Sequence, residues 1–324
     1  MEAYTSMGRC GKLILLYGII LVPLSGIFFP KAWTIQADAL QALFVLLMIC
    51  GIRSFKRRER YAVLKFLIFL VVIQGLAVLF SHGTRLQYGF SASPNQSGVF
   101  FGTTLPIVVR LFPIALPLSI LGLLYAKTTS AWIGALFGVG FLFSYSKHRK
   151  YVLLVVISLT ALFFLKFETI SKPALEERFL LYKNTIRSSV IGEIPLYFGD
   201  KTITAKWNPL IGAGYGSFKQ LSPNSQSGYL PEADRDKAHR YKHAHNDYLE
   251  IFFEFGWLGL CAVVIFILIL IRSFRNAKKS ETLMIVSSCL VAQMVMSLGI
   301  FTIHTATSGM LFIIMLGLYF GEIK

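Results

Sequence analysis

The sequence predicts an all-α, polytopic integral membrane protein with about ten transmembrane helices and one large loop on the far side of the membrane. Three observations predict it. Of the 324 residues, 55% are hydrophobic and only 15% are charged, and the mean hydropathy is +0.63; soluble domains carry roughly 25% charged residues. The apolar residues gather into long runs, and Lys and Arg fall in the short segments between them.

Apolar runs occupy residues 12–29, 36–52, 61–80, 97–109, 111–126, 131–146, 151–167, 249–271, 282–302 and 306–321. The first, from Lys12 to Phe29, is too long for a signal-peptide core, and no small-residue cleavage site follows it. It is therefore expected to remain as a span. The fourth and fifth are short, flank Arg110, and have Pro106, Pro113 and Pro117 nearby. Two helices are expected there; a single broken or re-entrant element is the alternative for runs this marginal against a ~30 Å core. The chain thus divides into membrane helices over 1–167, a polar loop over 168–248, and membrane helices over 249–324.

Charge sets the orientation. Basic residues cluster at Arg53, Lys56, Arg57, Arg58 and Arg60, at Lys147, Arg149 and Lys150, and at Arg272, Arg275, Lys278 and Lys279. With the N-terminus inside, the inner loops and termini hold 16 Lys and Arg, counting Lys12 at the edge of the first span. The short outer loops hold three: Lys31, Arg85 and Lys127. This is the positive-inside pattern, and merging runs four and five would place Arg53 to Arg60 outside. The long loop then lies outside, with 11 basic against nine acidic residues. A net charge of +16 suggests nucleic acid in a soluble protein, but here it is explained by the loops, and no nucleic-acid motif is present.

Cys10, Cys50, Cys261 and Cys289 include no CxxC pair and none lies in the long loop. They read as unpaired thiols, with no disulfide framework and no metal site. The long loop exceeds a mere connector and is expected to fold as short helices on the membrane surface. Its end reads Tyr241-Lys242-His243-Ala244-His245-Asn246-Asp247-Tyr248-Leu249-Glu250 and runs into an apolar span. Glu250 and Glu254 stand one helical turn apart in that span, and carboxylates there usually face a polar cavity. Gly256 and Gly259 allow close approach of another backbone.

His245-Asn246, nine residues, Gly256, two residues, Gly259 matches the H-[NSQ]-x9-G-x-x-[GTY] pattern of the O-antigen ligase family (the Wzy_C superfamily). Asn208 to Phe218, with Pro209, Gly212, Gly214, Gly216 and Phe218, resembles that family's P-x-x-G-x-G-x-G-x-F run. Arg178, with three residues before Tyr182, is similar to its R-x-x-x-W element with Tyr for Trp, and Ser93 to Gly98 is similar to its NPN segment. One departure is Thr129-Ser130-Ala131-Trp132, where the family often has Ser-Arg; Lys127 is the nearest basic residue, and lysine lacks the fork of arginine.

The resemblance implies a GT-C-like glycosyltransferase in the bacterial inner membrane, with its site facing the periplasm. The donor would be a glycan on undecaprenyl diphosphate. The acceptor would be lipid A-core, another glycan or a protein, with membrane lipids around the chain and no nucleic acid. His245 would activate the acceptor hydroxyl and Arg178 bind the donor diphosphate. Asn246, Glu250, Arg240, Gly212, Gly214 and Gly216 would border the substrates, with Gly256 and Gly259 as structural glycines. Neither cofactor nor metal is implied.

Each residue has a plainer reading. His245 can cap a helix, and His243 can be a mere neighbour. Arg178, Arg187, Arg235 and Arg240 can be solvated loop charges. The glycine run by itself indicates a turn rather than a phosphate cradle. Glu250 can pair with an arginine or hold the acceptor sugar. Within the family type, ligase, polymerase and protein O-oligosaccharyltransferase stay open. A lipid-linked glycan transporter is the alternative of another class; it predicts internal repeats and broken helices at mid-membrane, and the sequence shows no repeat.

Overall fold

The computed structural model describes residues 46–80, 93–144, 172–198, 201–226, 243–274, 280–300, 302 and 306–323. The expected spans at 12–29 and 151–167, together with Cys10, Arg235 and Arg240, lie outside the described residues. The described chain is mostly helical. After a helical stretch over 46–54 come α1 (Arg57–Phe80), α2 (Pro94–Leu111), a 3-10 turn (Pro113–Ala115), α3 (Leu116–Ala126) and α4 (Thr129–Ser144). Then follow α5 (Lys172–Ile191), β1 (Glu193–Phe198), β2 (Lys201–Lys206), α6 (Ser217–Gln226), α7 (Asp247–Phe274), α8 (Glu281–Met296) and α9 (Ala306–Glu322).

Among the described residues, two helical stretches, Arg57–Phe80 and Asp247–Arg272, are long and apolar enough to cross a membrane. Four shorter apolar helical stretches accompany them: Pro113–Ala126, Thr129–Ser144, Glu281–Met296 and Ser308–Glu322. Outward faces are apolar as well: Phe66 and Phe69 on α1 are 58% and 57% exposed, and Ile265 and Leu268 on α7 are 57% and 58% exposed. Cys50, Cys261 and Cys289 are free thiols.

The fourth and fifth runs form two separate helices. Ser93 caps α2 by accepting from the Gln96 N–H at 3.3 Å, and Pro94 occupies its first turn, where a missing N–H costs nothing. The helix stops at Phe112 because Pro113 follows. Every residue from Ser97 to Val108 is buried, so α2 is the axis of the bundle. Glycines let its neighbours close up: a Cβ on Gly102 of α2 would stand 2.9 Å from the Ala131 carbonyl oxygen of α4, and one on Gly138 of α4 would stand 2.8 Å from that of Ser288 in α8. Small residues at such seams replace hydrophobic driving force by close packing.

The bundle has two chemically different ends. At one, Arg60 pairs with Glu322 at 2.8 Å, Ser280 Oγ donates to Glu322 at 2.6 Å, and Arg110 pairs with Glu281 at 2.6 Å. The start of α7 and the α8–α9 connection lie at the other.

The long loop carries helices, α5 and α6, as expected, but departs from an all-α chain by adding a β-hairpin between them. Residues after α5 form an antiparallel hairpin with Glu193 opposite Lys206 and Phe198 opposite Lys201. Ile194 and Leu196 alternate inward, the two-residue period of a strand. They join Leu181, Phe218, Ala244 and Phe253 in a core distinct from that of the bundle. Phe253 is its hub, with ring centroids 4.9 Å from Trp207 and 5.2 Å from Phe218. Since Phe253 belongs to α7, the polar segment is anchored to the top of a membrane-length helix.

Candidate functional site

The helix α7 is two helical pieces joined at Gly256, whose φ of 62° and ψ of −156° belong to glycine alone. A break strands backbone groups on both sides. Residues 209–214 satisfy them. The N–H groups of Ala213 and Gly214 donate to the carbonyls of Phe253 and Glu254, each at 2.9 Å. The N–H groups of Trp257 and Leu258 donate to the carbonyls of Pro209 and Leu210, each at 3.0 Å. Such contact requires bare backbone on both chains: a Cβ on Gly212 would stand 2.4 Å from the Glu254 carbonyl, and one on Gly256 would stand 2.2 Å from the Pro209 oxygen. The two glycine motifs therefore interlock. Gly212 and Gly256 build the site; their own surroundings show backbone contact, not a cradle. Gly214 and Gly216 also have positive φ and shape the turn. Gly259 packs on Phe255 and Ile251 of its own helix, so the close approach expected there comes from the preceding turns of α7 rather than from another segment.

The first turn of α7 is fixed with equal care. Asn246 Oδ1 accepts from the N–H groups of Tyr248 at 3.0 Å and Leu249 at 3.1 Å, capping the helix. Its amide donates to the Leu298 carbonyl at 3.1 Å, a structural use of the residue expected beside substrate. Asp247, fully buried, accepts from the Thr302 N–H at 2.7 Å and hydroxyl at 2.9 Å. The site is thus tied to the α8–α9 connection, a role for Asp247 and Thr302 that the sequence reading missed. An Asp two residues after the motif histidine, at the entry to an apolar span, was the available signal.

Glu250 is 1% exposed. One carboxylate oxygen stands 3.0 Å from His243 Nδ1 and the other accepts from the Ala244 N–H at 3.1 Å. Among the described residues, these groups grip the carboxylate and tie it to the end of the loop. Glu254, 2% exposed, accepts from the Phe218 N–H.

His245 sits between these fixtures with φ +52°, the left-handed region that histidine enters more readily than most residues. Tyr182 Oη donates to its carbonyl at 3.0 Å. Arg178 lies one turn before Tyr182 on α5 and is exposed; its charge acts on the imidazole. The α5 face that carries Arg178 and Tyr182 is thus brought to His245, more than 60 residues later in the chain: Tyr182 by a hydrogen bond and Arg178 by its charge. Arg187 is exposed on the same helix. Burial, then Arg178, then His243 lower the His245 pKa to about 4, with Glu250 opposing. Burial raises that of Tyr182, with Arg178 opposing. His245 is thus neutral at pH 7 and becomes cationic only as pH falls through about 4. In a ¹³C-histidine NMR titration, the resonance lost in His245→Gln is expected to titrate near 4 rather than near the ordinary 6.5. A midpoint at or above 6 would contradict the packing around the ring.

An apolar cavity of about 630 Å³ runs from this end of the bundle along α7, lined among others by Tyr248, Ile251, Phe255, Phe266, Met294 and Phe312. Among the described residues, no group of three or more His, Cys, Asp or Glu side chains is placed to hold a metal ion. No protein-family model matches the chain, and no curated protein matches it.

Proposed function

We propose that the chain is a glycosyltransferase of the O-antigen ligase type. It would span the bacterial inner membrane about ten times and move a glycan from undecaprenyl diphosphate to lipid A-core on the periplasmic side. The observation that supports this most is the Tyr182 hydrogen bond to His245 at one end of a helix bundle, with the charge of Arg178, on the same helix as Tyr182, acting on the imidazole. An exposed guanidinium suits a diphosphate. A neutral, half-buried imidazole suits removal of a hydroxyl proton. The apolar cavity beside them suits a lipid tail.

In this reading the acceptor oxygen attacks the anomeric carbon as its proton passes to His245. The bond from that carbon to the diphosphate oxygen breaks on the opposite face, inverting the centre. Undecaprenyl diphosphate leaves with its charge offset by Arg178. The diphosphate also tunes the base: its negative charge beside Arg178 cancels a cation that depresses the imidazole pKa, moving it toward neutrality when donor is bound.

A chromosomal deletion tests the reaction. Loss of polymer from lipid A-core, with polymer still on the carrier, is the expected phenotype. A core bearing a single repeat indicates polymerase instead, and loss of glycan from exported proteins indicates protein glycosylation. Unaltered surface glycans would refute the proposal.

The orientation is tested separately with Thr202→Cys, at an exposed position on β2, in a background freed of the four native cysteines. An impermeant maleimide is expected to label it in intact spheroplasts. Labelling only after lysis would reverse the orientation.

A further inference from the structure

We propose that Glu250 is a positioning residue that holds His245 in its working conformation by clamping the two residues before it; this rests on the reading of His245 as the base. The helix start does not need this carboxylate, since Asn246 already caps it. Glu250 instead reaches back past the cap to consecutive residues, the His243 ring and the Ala244 N–H. A carboxylate buried to 1% exposure is costly unless it is fully engaged, and here both oxygens are engaged on one short turn. The next residue is His245, in a left-handed backbone conformation that is unfavourable for a non-glycine residue. Ala244 is fully buried, so the turn is fixed on both sides: by Glu250 before His245, and after it by Asn246 and Asp247 bonded to the α8–α9 connection. From α5, Tyr182 holds the His245 carbonyl.

The same carboxylate acts on the ring electrically. Among the described residues, the charged and titratable groups around His245 are Arg178 on α5, His243 in the turn and Glu250 on α7, with Asp247 beside it on α7; Ser297 and Thr302 in the α8–α9 connection carry no charge. Of these, Glu250 counters Arg178 and His243. Removing its charge therefore lowers the imidazole pKa further, and the acid limb of activity moves to lower pH.

The test uses full-length protein in lipid vesicles with an undecaprenyl-diphosphate glycan as donor, and compares Glu250→Ala, Glu250→Gln and His245→Ala. Misplacement of a catalytic group by about 1 Å costs up to about a hundredfold. Glu250→Ala is expected to lose about tenfold to a hundredfold in kcat with little change in donor KM. Glu250→Gln keeps the shape and one acceptor for Ala244, so it is expected to recover part of the loss, with its acid limb displaced to lower pH. A wild-type kcat in Glu250→Ala, or an unmoved acid limb in Glu250→Gln, would overturn the proposal. If Glu250→Ala fails to accumulate, the kcat and acid limb of Glu250→Gln decide it alone. An inactive His245→Ala beside a fully active Glu250→Ala defeats the positioning role only; an active His245→Ala defeats the underlying reading.

Discussion

Transfer is expected to fall by about 10²–10⁴ in His245→Ala, the usual effect of a lost general base, while the protein still accumulates in the membrane. Accumulation is expected because the side chain does not carry the fold. Tyr182 bonds the backbone carbonyl of His245, and Asn246 and Asp247 anchor the helix start independently. Alanine also accepts the left-handed conformation less readily than histidine, so a small loss of stability accompanies the change. Immunoblot of membranes separates the two effects. Normal protein with little transferred glycan is the expected result; normal protein with wild-type transfer would remove His245 from the chemistry.

The largest structural effect is expected at Gly256→Ala. Its φ and ψ lie where side chains are not tolerated, a strain of about 1–3 kcal/mol. The added methyl would also meet the Pro209 oxygen at 2.2 Å. Relief requires the 209–214 segment to withdraw, which strands the four backbone hydrogen bonds joining it to α7. Buried backbone groups left unpaired cost about 1–3 kcal/mol each. Protein level and protease resistance of the polar segment are both expected to collapse. Gly51→Ala, in a helix with open space around the position, is the control and is expected to be neutral. A Gly256→Ala protein with normal protease resistance would mean the interlock is not what holds the segment to α7.

Much of the bundle was legible because long apolar runs and basic loops follow from transfer energies alone. Pro94 and Pro113 mark where α2 begins and where it ends. The β-hairpin escaped attention in a chain dominated by helices. Yet Glu193 to Lys206 carries the signs of one, with Ile194 and Leu196 alternating before Gly199-Asp200. The site was legible in pieces. Arg178 and Tyr182 stand one helical turn apart, so a shared face follows from spacing. That this face meets His245, that Gly212 seats against Gly256, and that Glu250 turns back to His243 are long-range contacts that no local pattern encodes. Burial decided Glu250: sequence shows a carboxylate in an apolar stretch, and only the packing shows which groups satisfy it.

The most direct measurement is single-turnover transfer by the purified wild-type protein in vesicles. The donor is an undecaprenyl-diphosphate glycan, the acceptor is lipid A-core, and a chelator is present. Release of undecaprenyl diphosphate in step with glycosylated core, and inversion at the transferred anomeric carbon, are expected. Donor left intact, or product that retains the donor configuration, would contradict direct transfer by His245 and Arg178.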